Sequence, residues 1–393
     1  MTALLDISKH KGLYIIFLAM IGATPPLATD MYLAAIPVIA KEWHVGEHLV
    51  NLSLVLWFAS FSTSLLFYGP LSDKYGRRPI LLTGLFFFVV SSILCTLSTN
   101  VWQLIIFRVI QGMGAAAPSA MVMAICRDKY EGEERRKALA YLGTVLAVAP
   151  MVAPMIGTFL LGLGSWRYIF LTQAAMVACT FVVSFLFRET IEDRFAGDWY
   201  KVFFRYRNVF SNRKFMRTNL TLSLSAGPLY AFIAFSPIYY IGINGFGETK
   251  FSILFAFNAF GAMFGAFVCT RLLKHFKPNS LITFCLSGAA VAAAGLWLLS
   301  FSAWYFFTCF TFLTTFFICM NRPLSNNLII EQVNTDIGSA SSFMVFCQLM
   351  FGALCMLIVS GTHGHQLAVF NLLAAVIAVF VILSWLFLRK KLV

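Results

Sequence analysis

Gly69-Pro-Leu-Ser-Asp-Lys-Tyr-Gly-Arg-Arg-Pro79 separates two long apolar runs, and its character decides how the rest of the chain is threaded. Gly69 and Gly76 let the chain turn tightly. Asp73 can accept from Arg77, Arg78 or an exposed helix N-terminus, and the bases suit the anionic cytoplasmic face of a bilayer. The flanking runs, near 49–70 and 79–98, each reach the about 20 apolar residues that a spanning helix needs.

Outward from this loop the pattern repeats. Further spans are expected near 13–40, 101–125, 138–163 and 166–187, then near 215–242, 249–273, 280–300, 303–329, 338–360 and 366–388. With 60% hydrophobic and 11% charged residues in 393, and a mean hydropathy of +0.82, the chain is too apolar for a soluble domain. The fold class expected is an all-α membrane protein of twelve transmembrane helices in two six-helix, pseudo-symmetric bundles. The first bundle covers 1–187, a cytoplasmic linker 188–214, and the second bundle 215–393. A short amphipathic helix around Trp199 to Val209 is expected in the linker, its basic face on anionic lipid.

The net charge of +13 describes topology, not nucleic-acid binding, because the bases cluster between apolar runs. With the N-terminus inside, all but five of the 29 Lys and Arg residues fall on the inner side; the exceptions are Lys41, Arg167 and Lys250 outside and Arg108 and Arg322 within spans. Both termini are therefore expected in the cytoplasm. Lys9 and Lys11 precede an apolar run too long for a cleaved signal, so the first span should be retained. Nine Cys residues, an odd number with no C-x-x-C pair, lie mostly within apolar runs and read as free thiols, with no disulfide and no metal site. The chain has no G-x-x-x-x-G-K-[ST] sequence. No cofactor is expected, and an ion gradient is the expected driving force.

Chemistry concentrates on few residues. Asp30, behind Pro25-Pro26, is the one acid of sixteen inside an apolar run, and an ionisable group at membrane depth is by default functional. An enzyme in the bilayer would need clustered acids or a His partner, and this acid has no interior His. Arg108, Gln111 and Gly112 share a helix face at i, i+3 and i+4, as do Arg322 and Asn326 at i, i+4. A cation near Asp30 would set its proton affinity, so Asp30 and Arg108 are the candidates for proton coupling. Candidate substrate contacts in the first half are Tyr32, Trp57 and Gln111. In the second half they are Tyr230, Phe235, Tyr239, Asn258, Asn321, Arg322 and Asn326. If Arg322 faces the cavity, the embedded charge is net positive, which favours neutral, zwitterionic or anionic compounds over simple cations.

The 69–79 loop resembles the signature loop of the major facilitator superfamily, G-x-x-x-D-x-x-G-R-R/K. This implies that Gly69, Asp73, Gly76, Arg77 and Arg78 form a conformational latch. Arg108-Val-Ile-Gln-Gly112 is similar to the R-x-x-Q-G motif of that superfamily, whose Arg is implicated in proton coupling. Gly143 to Gly157 resembles the antiporter motif of drug exporters, with Pro150, Pro154 and Gly157 as its bending residues. It departs from the usual pattern at Val145, Ala149 and Ala153-Pro154. Thr29-Asp-Met-Tyr32, Ser165-Trp-Arg-Tyr168, Phe255-Ala-Phe-Asn258 and Gly338-Ser-Ala-Ser341 together resemble the Bcr/CflA (bicyclomycin/chloramphenicol resistance) subfamily of drug:proton antiporters. The resemblance implies a monomeric, proton-coupled exporter of small organic compounds in a bacterial-type inner membrane, partnered by its substrate, protons and lipid. A proton-coupled importer, or an exporter of an endogenous or siderophore-like metabolite, is the alternative. An intramembrane enzyme or sensor is a remote one.

Overall fold

The computed structural model describes residues 11–191, 206–333, 335–362 and 364–392. The chain is helical, and twelve helical segments among the described residues are long and apolar enough to cross a membrane. In order, the helices are α1 (Lys11–Asp30), α2 (Ala35–Glu42), α3 (Glu47–Tyr75), α4 (Arg77–Thr96), α5 (Val101–Lys129), α6 (Gly132–Gly162) and α7 (Arg167–Ser184). They continue as α8 (Arg213–Leu224), α9 (Gly227–Pro237), a π-helical segment (Ile238–Ile243), α10 (Glu248–Leu272), α11 (Pro278–Leu299), α12 (Trp304–Ile330), α13 (Ile337–Gly361) and α14 (Gln366–Leu392). Residues 206–211 are also helical, whereas most of the amphipathic helix expected around Trp199 to Val209 lies outside the described residues.

A bilayer requires spanning backbone to find its hydrogen-bond partners within the protein, and a helix pairs most of its groups within its own segment. Ser and Thr hydroxyls inside the spans turn back on the preceding turn: Ser91 Oγ donates to the carbonyl of Phe87 at 2.6 Å and Thr314 Oγ1 to that of Phe310 at 2.8 Å. Asn100 caps α5 by accepting from the Gln103 N–H, and Asn212 caps α8 by accepting from Lys214 and Phe215. Large apolar side chains point outward, with Val291, Leu298 and Phe387 each 72% exposed. Such faces are stable only against hydrocarbon.

The described residues form two compact units. One takes those before Gly46 and those from Leu56 to 191; the other takes Gly46–Val55 and everything from Tyr206 onward. The first turns of α3 thus belong with the second unit, where Asn51 Nδ2 donates to the carbonyl of Ala234 at 3.1 Å and to Ser360 Oγ at 2.7 Å. In the first unit α4 packs along α5, and α1 lies against α5, α6 and α7. In the second, α12 packs between α10 and α11, and α9 against α13.

Three local features differ from the sequence expectation. The first span is not continuous from 13 to 40. Its helix runs through Pro25-Pro26 and stops at Asp30, because the Tyr32 N–H turns to the carbonyl of Thr29 at 3.2 Å; tight turns follow until α2 begins. The seventh span is likewise interrupted, between α8 and α9, just ahead of Pro228. The signature loop is nearly all helix: α3 continues to Tyr75 and α4 begins at Arg77, leaving Gly76 alone between them with φ 103°, a conformation suited to glycine.

Candidate functional site

The break after Asp30 organises the first unit. Because Tyr32 turns to Thr29, the carbonyl of Ala28 lacks the amide that would have continued the helix, and two side chains take its place. Arg108 Nη1 on α5 donates to it at 3.1 Å and Gln173 Nε2 on α7 at 3.4 Å, the latter also reaching the carbonyl of Leu27 at 3.3 Å. Arg108 Nη1 donates to Gln111 Oε1 at 2.5 Å, while Gln111 Nε2 donates to Ser92 Oγ at 2.7 Å and to Gln173 Oε1 at 3.1 Å. Four helices are thereby tied to one carbonyl at the interruption.

Arg108 is fully buried, and its charge meets aromatic faces in place of an acid. The guanidinium carbon lies 4.6 Å from the ring centre of Tyr32, 5.6 Å from Trp57 and 5.8 Å from Phe170. Its Nε and Nη2 have no hydrogen-bond partner among the described residues. Asp30 is 5% exposed and accepts from the Thr29 hydroxyl at 2.8 Å; among the described residues it forms no ion pair. Arg108 and Asp30 are therefore joined through the backbone of the break and not by direct contact. Gly157 on α6 completes the arrangement, since a Cβ there would land on the carbonyl of Met31. Pro150 and Pro154 lie inside α6, whose helix is uninterrupted from Gly132 to Gly162.

A cavity of ≈ 250 Å³ opens on the α1, α4, α6 and α7 side of the unit, lined by Met20, Thr24, Leu27, Phe88, Gln173 and Met176 among others. It is nearly all apolar, and its polar landmark is the Gln173 that holds the break.

The loop residues form a second cluster in this unit. Arg77, 3% exposed, donates through Nη1 to Ser72 Oγ at 2.5 Å and Asp73 Oδ1 at 2.6 Å, and through Nε to Asp128 Oδ2 at 2.9 Å. Glu189 places its carboxylate on the start of α4, accepting from the Arg77 N–H at 2.9 Å and the Arg78 N–H at 3.2 Å. An anion at a helix N-terminus is favourable. Arg78 reaches the carbonyl of Phe185 at 2.7 Å.

In the second unit the expected residues divide. Arg322 Nη2 points to Tyr230 OH and to Gln348 Oε1, both at 3.3 Å, and Gln348 Nε2 donates to Asn326 Oδ1 at 2.7 Å. Tyr230, Arg322 and Asn326 are thus brought together from α9 and α12, with Gln348 of α13. Asn258 accepts from Thr315 Oγ1 at 2.9 Å, an α10–α12 contact. Phe235 and Tyr239 are buried in aromatic packing with Phe307, whose ring centre is 5.9 Å from Phe235 and 3.9 Å from Tyr239. Asn321 lies on another side of α12, lining a ≈ 20 Å³ space with Ser225 and Thr314, large enough for one water.

Sequence reasoning passed over Asp128, Glu189, Gln173 and Gln348. The two acids read as span-end charges. The two amides carried a usable signal, since each is a polar side chain within an apolar run.

Twelve candidate spans among the described residues, in two compact units with buried polar groups on broken helices, define a polytopic membrane protein. The sequence model of the Major Facilitator Superfamily matches residues 18–356, and the chain belongs to that family, whose members are transporters and not enzymes. It is 30% identical over 353 residues to YdgK of Bacillus subtilis, an uncharacterized MFS-type transporter, covering 88% of each chain. It is 29% identical to the multidrug resistance protein MdtL of Shewanella oneidensis, covering 84% of each, and 25% identical to a bicyclomycin resistance protein homolog of Haemophilus influenzae, covering 98% of each. Among solved structures it resembles in fold the nucleoside transporter NupG, with TM-score 0.73, 10% identity and coverage of 96% and 98%. It also resembles a bacterial homolog of the human lysosomal transporter Spinster, with TM-score 0.70, 15% identity and coverage of 97% and 96%.

Proposed function

We propose that this transporter exports small organic compounds in exchange for protons, by alternating access, across a bacterial-type inner membrane with both termini cytoplasmic. It works as a monomer, with no cofactor beyond the proton gradient. The observation that carries the reading is Asp30: a buried carboxylate, unpaired with any cation among the described residues, at the interruption of the first spanning helix. A carboxylate so placed is relieved of its desolvation penalty by taking a proton and regains water by releasing one. Arg108 acts as a positioning residue, holding the break through Ala28, and the Arg77 cluster serves as the latch of the conformational cycle. The resistance proteins among its relatives support drug-like compounds as substrates. Two embedded arginines against one embedded acid favour neutral, zwitterionic or anionic compounds.

The test is pH-gradient-driven transport in proteoliposomes over neutral, anionic and cationic compounds, with the native chain and with Asp30→Asn. Uphill movement by the native chain that disappears in Asp30→Asn, with binding retained, supports the reading. Coupling that survives the substitution removes Asp30 from the proton path. Reversing the gradient tells export from import.

A further inference from the structure

We propose that the second unit contains a subsite for an acidic group, built on Arg322 with Tyr230, Gln348 and Asn326, and that the compounds this chain binds best carry a carboxylate or an equivalent monoanion. The inference rests on the transporter reading above and narrows its substrate class.

Arg322 follows most of the length of α12, at a position from which a long side chain could extend to the membrane surface. It does the opposite. Its Nη2 turns toward Tyr230 at the start of α9 and Gln348 near the middle of α13. Both contacts are 3.3 Å, beyond the usual range for N–H···O bonds, and both partners are neutral. No Asp or Glu forms an ion pair with Arg322 among the described residues.

The contrast with Arg108 identifies which cation is open to a ligand. Arg108 is sealed, with three aromatic rings and a backbone carbonyl around it. Arg322 is only half-buried, so part of its side chain remains accessible. A guanidinium presents five N–H donors in a planar fork. Long bonds to neutral oxygens leave most of that capacity unused, and a carboxylate can take two parallel bonds that are charge-assisted and about twice as strong.

The partners are themselves held in place. Gln348 Nε2 is committed to Asn326 Oδ1 at 2.7 Å, which turns Gln348 Oε1 toward the guanidinium. The chain Asn326, Gln348, Arg322, Tyr230 therefore fixes the cation from three helices while leaving its charge uncompensated. A cationic compound meets repulsion there, and a neutral one gains only ordinary hydrogen bonds.

The experiment uses the purified full chain in lipid nanodiscs, without a gradient. Equilibrium binding is measured at neutral pH for indole-3-acetate, naphthalene-2-carboxylate and biphenyl-4-carboxylate, each against its methyl ester. The native chain should bind each acid roughly tenfold to a hundredfold more tightly than its ester. Arg322→Gln should erase that ratio and Arg322→Lys should keep part of it, because an ammonium retains the charge but not the fork. Gln348→Glu is the second variant. It supplies an internal carboxylate beside the guanidinium, so it should fold and yet lose the acid preference.

The proposal is overturned if the native chain binds none of the three acids more tightly than its ester, or if the preference survives Arg322→Gln or, should that variant not fold, Gln348→Glu. Acid preference without any pH-driven transport would sink the antiport reading and leave the subsite standing. Driven transport without acid preference would do the reverse.

Discussion

Arg108 grips the first spanning helix through the carbonyl of Ala28, 3.1 Å away, and not through the nearby carboxylate of Asp30. The acid that is the candidate proton carrier is thereby left without a permanent counter-charge, while the backbone beside it is fixed by α5 and α7. A salt bridge at this place would have held Asp30 ionised throughout a cycle.

With Asp30 as the single embedded acid, one proton should accompany each compound. Simultaneous measurement of proton and substrate fluxes in vesicles checks this, and a ratio of two or more would mean that a second group titrates. Asp30→Asn should reduce gradient-driven accumulation to the passive level.

Arg108→Lys should behave as a loss and not as a conservative change. An ammonium cannot reach Ala28 and Gln111 with the same planar geometry or lie across the Tyr32 ring as a guanidinium does. Losing one charged hydrogen bond costs about 1.5–3 kcal/mol, so thermal unfolding in detergent should fall clearly below that of the native chain. An unchanged transition would show that the break does not need this clamp.

Gly157→Ala tests the packing of α6 on the break. The added methyl meets the backbone of Met31, which cannot swing aside, whereas Gly143 on the same helix has nothing within 4 Å. Gly157→Ala should destabilise by about 1–3 kcal/mol, and Gly143→Ala should be neutral or slightly stabilising through helix propensity. Thermal melts of the two variants side by side decide it.

Glu189→Ala should remove the anionic cap from α4, at about 1 kcal/mol, with Glu189→Gln losing less because its single amide oxygen can still accept from one of the two N–H groups that the two carboxylate oxygens now share out, Arg77 or Arg78. Asp128→Asn should be worse than either, since it strips one of two carboxylates from the buried Arg77. Chemical unfolding of the three variants ranks them. A ranking with Asp128→Asn mildest would mean that Asp73 alone satisfies Arg77.

The spans were legible in the sequence because a bilayer demands runs of about 20 apolar residues, and few other requirements write so plainly. Asp30 and Arg108 stood out for the same reason, as charges where charge is costly. The place of the break was harder. Pro25-Pro26 drew attention to the right stretch, yet the helix passes through both prolines and ends where the Tyr32 amide bonds to Thr29 and not to Ala28, whose carbonyl is taken up by Arg108 and Gln173 from other helices. Asp128 and Glu189 were hidden because long-range pairing leaves no local pattern. Among 42 Phe the sequence could not show that Phe235 and Tyr239 share one aromatic cluster with Phe307, because that packing joins residues far apart in the chain.

The embedded acid and the open guanidinium belong to different compact units and, among the described residues, share no hydrogen-bond partner. Effects of substitutions at sites that share no partners tend to add. Substitutions around Arg322 are therefore expected to alter what is recognised while leaving the clamp around Ala28, and the carboxylate beside it, undisturbed.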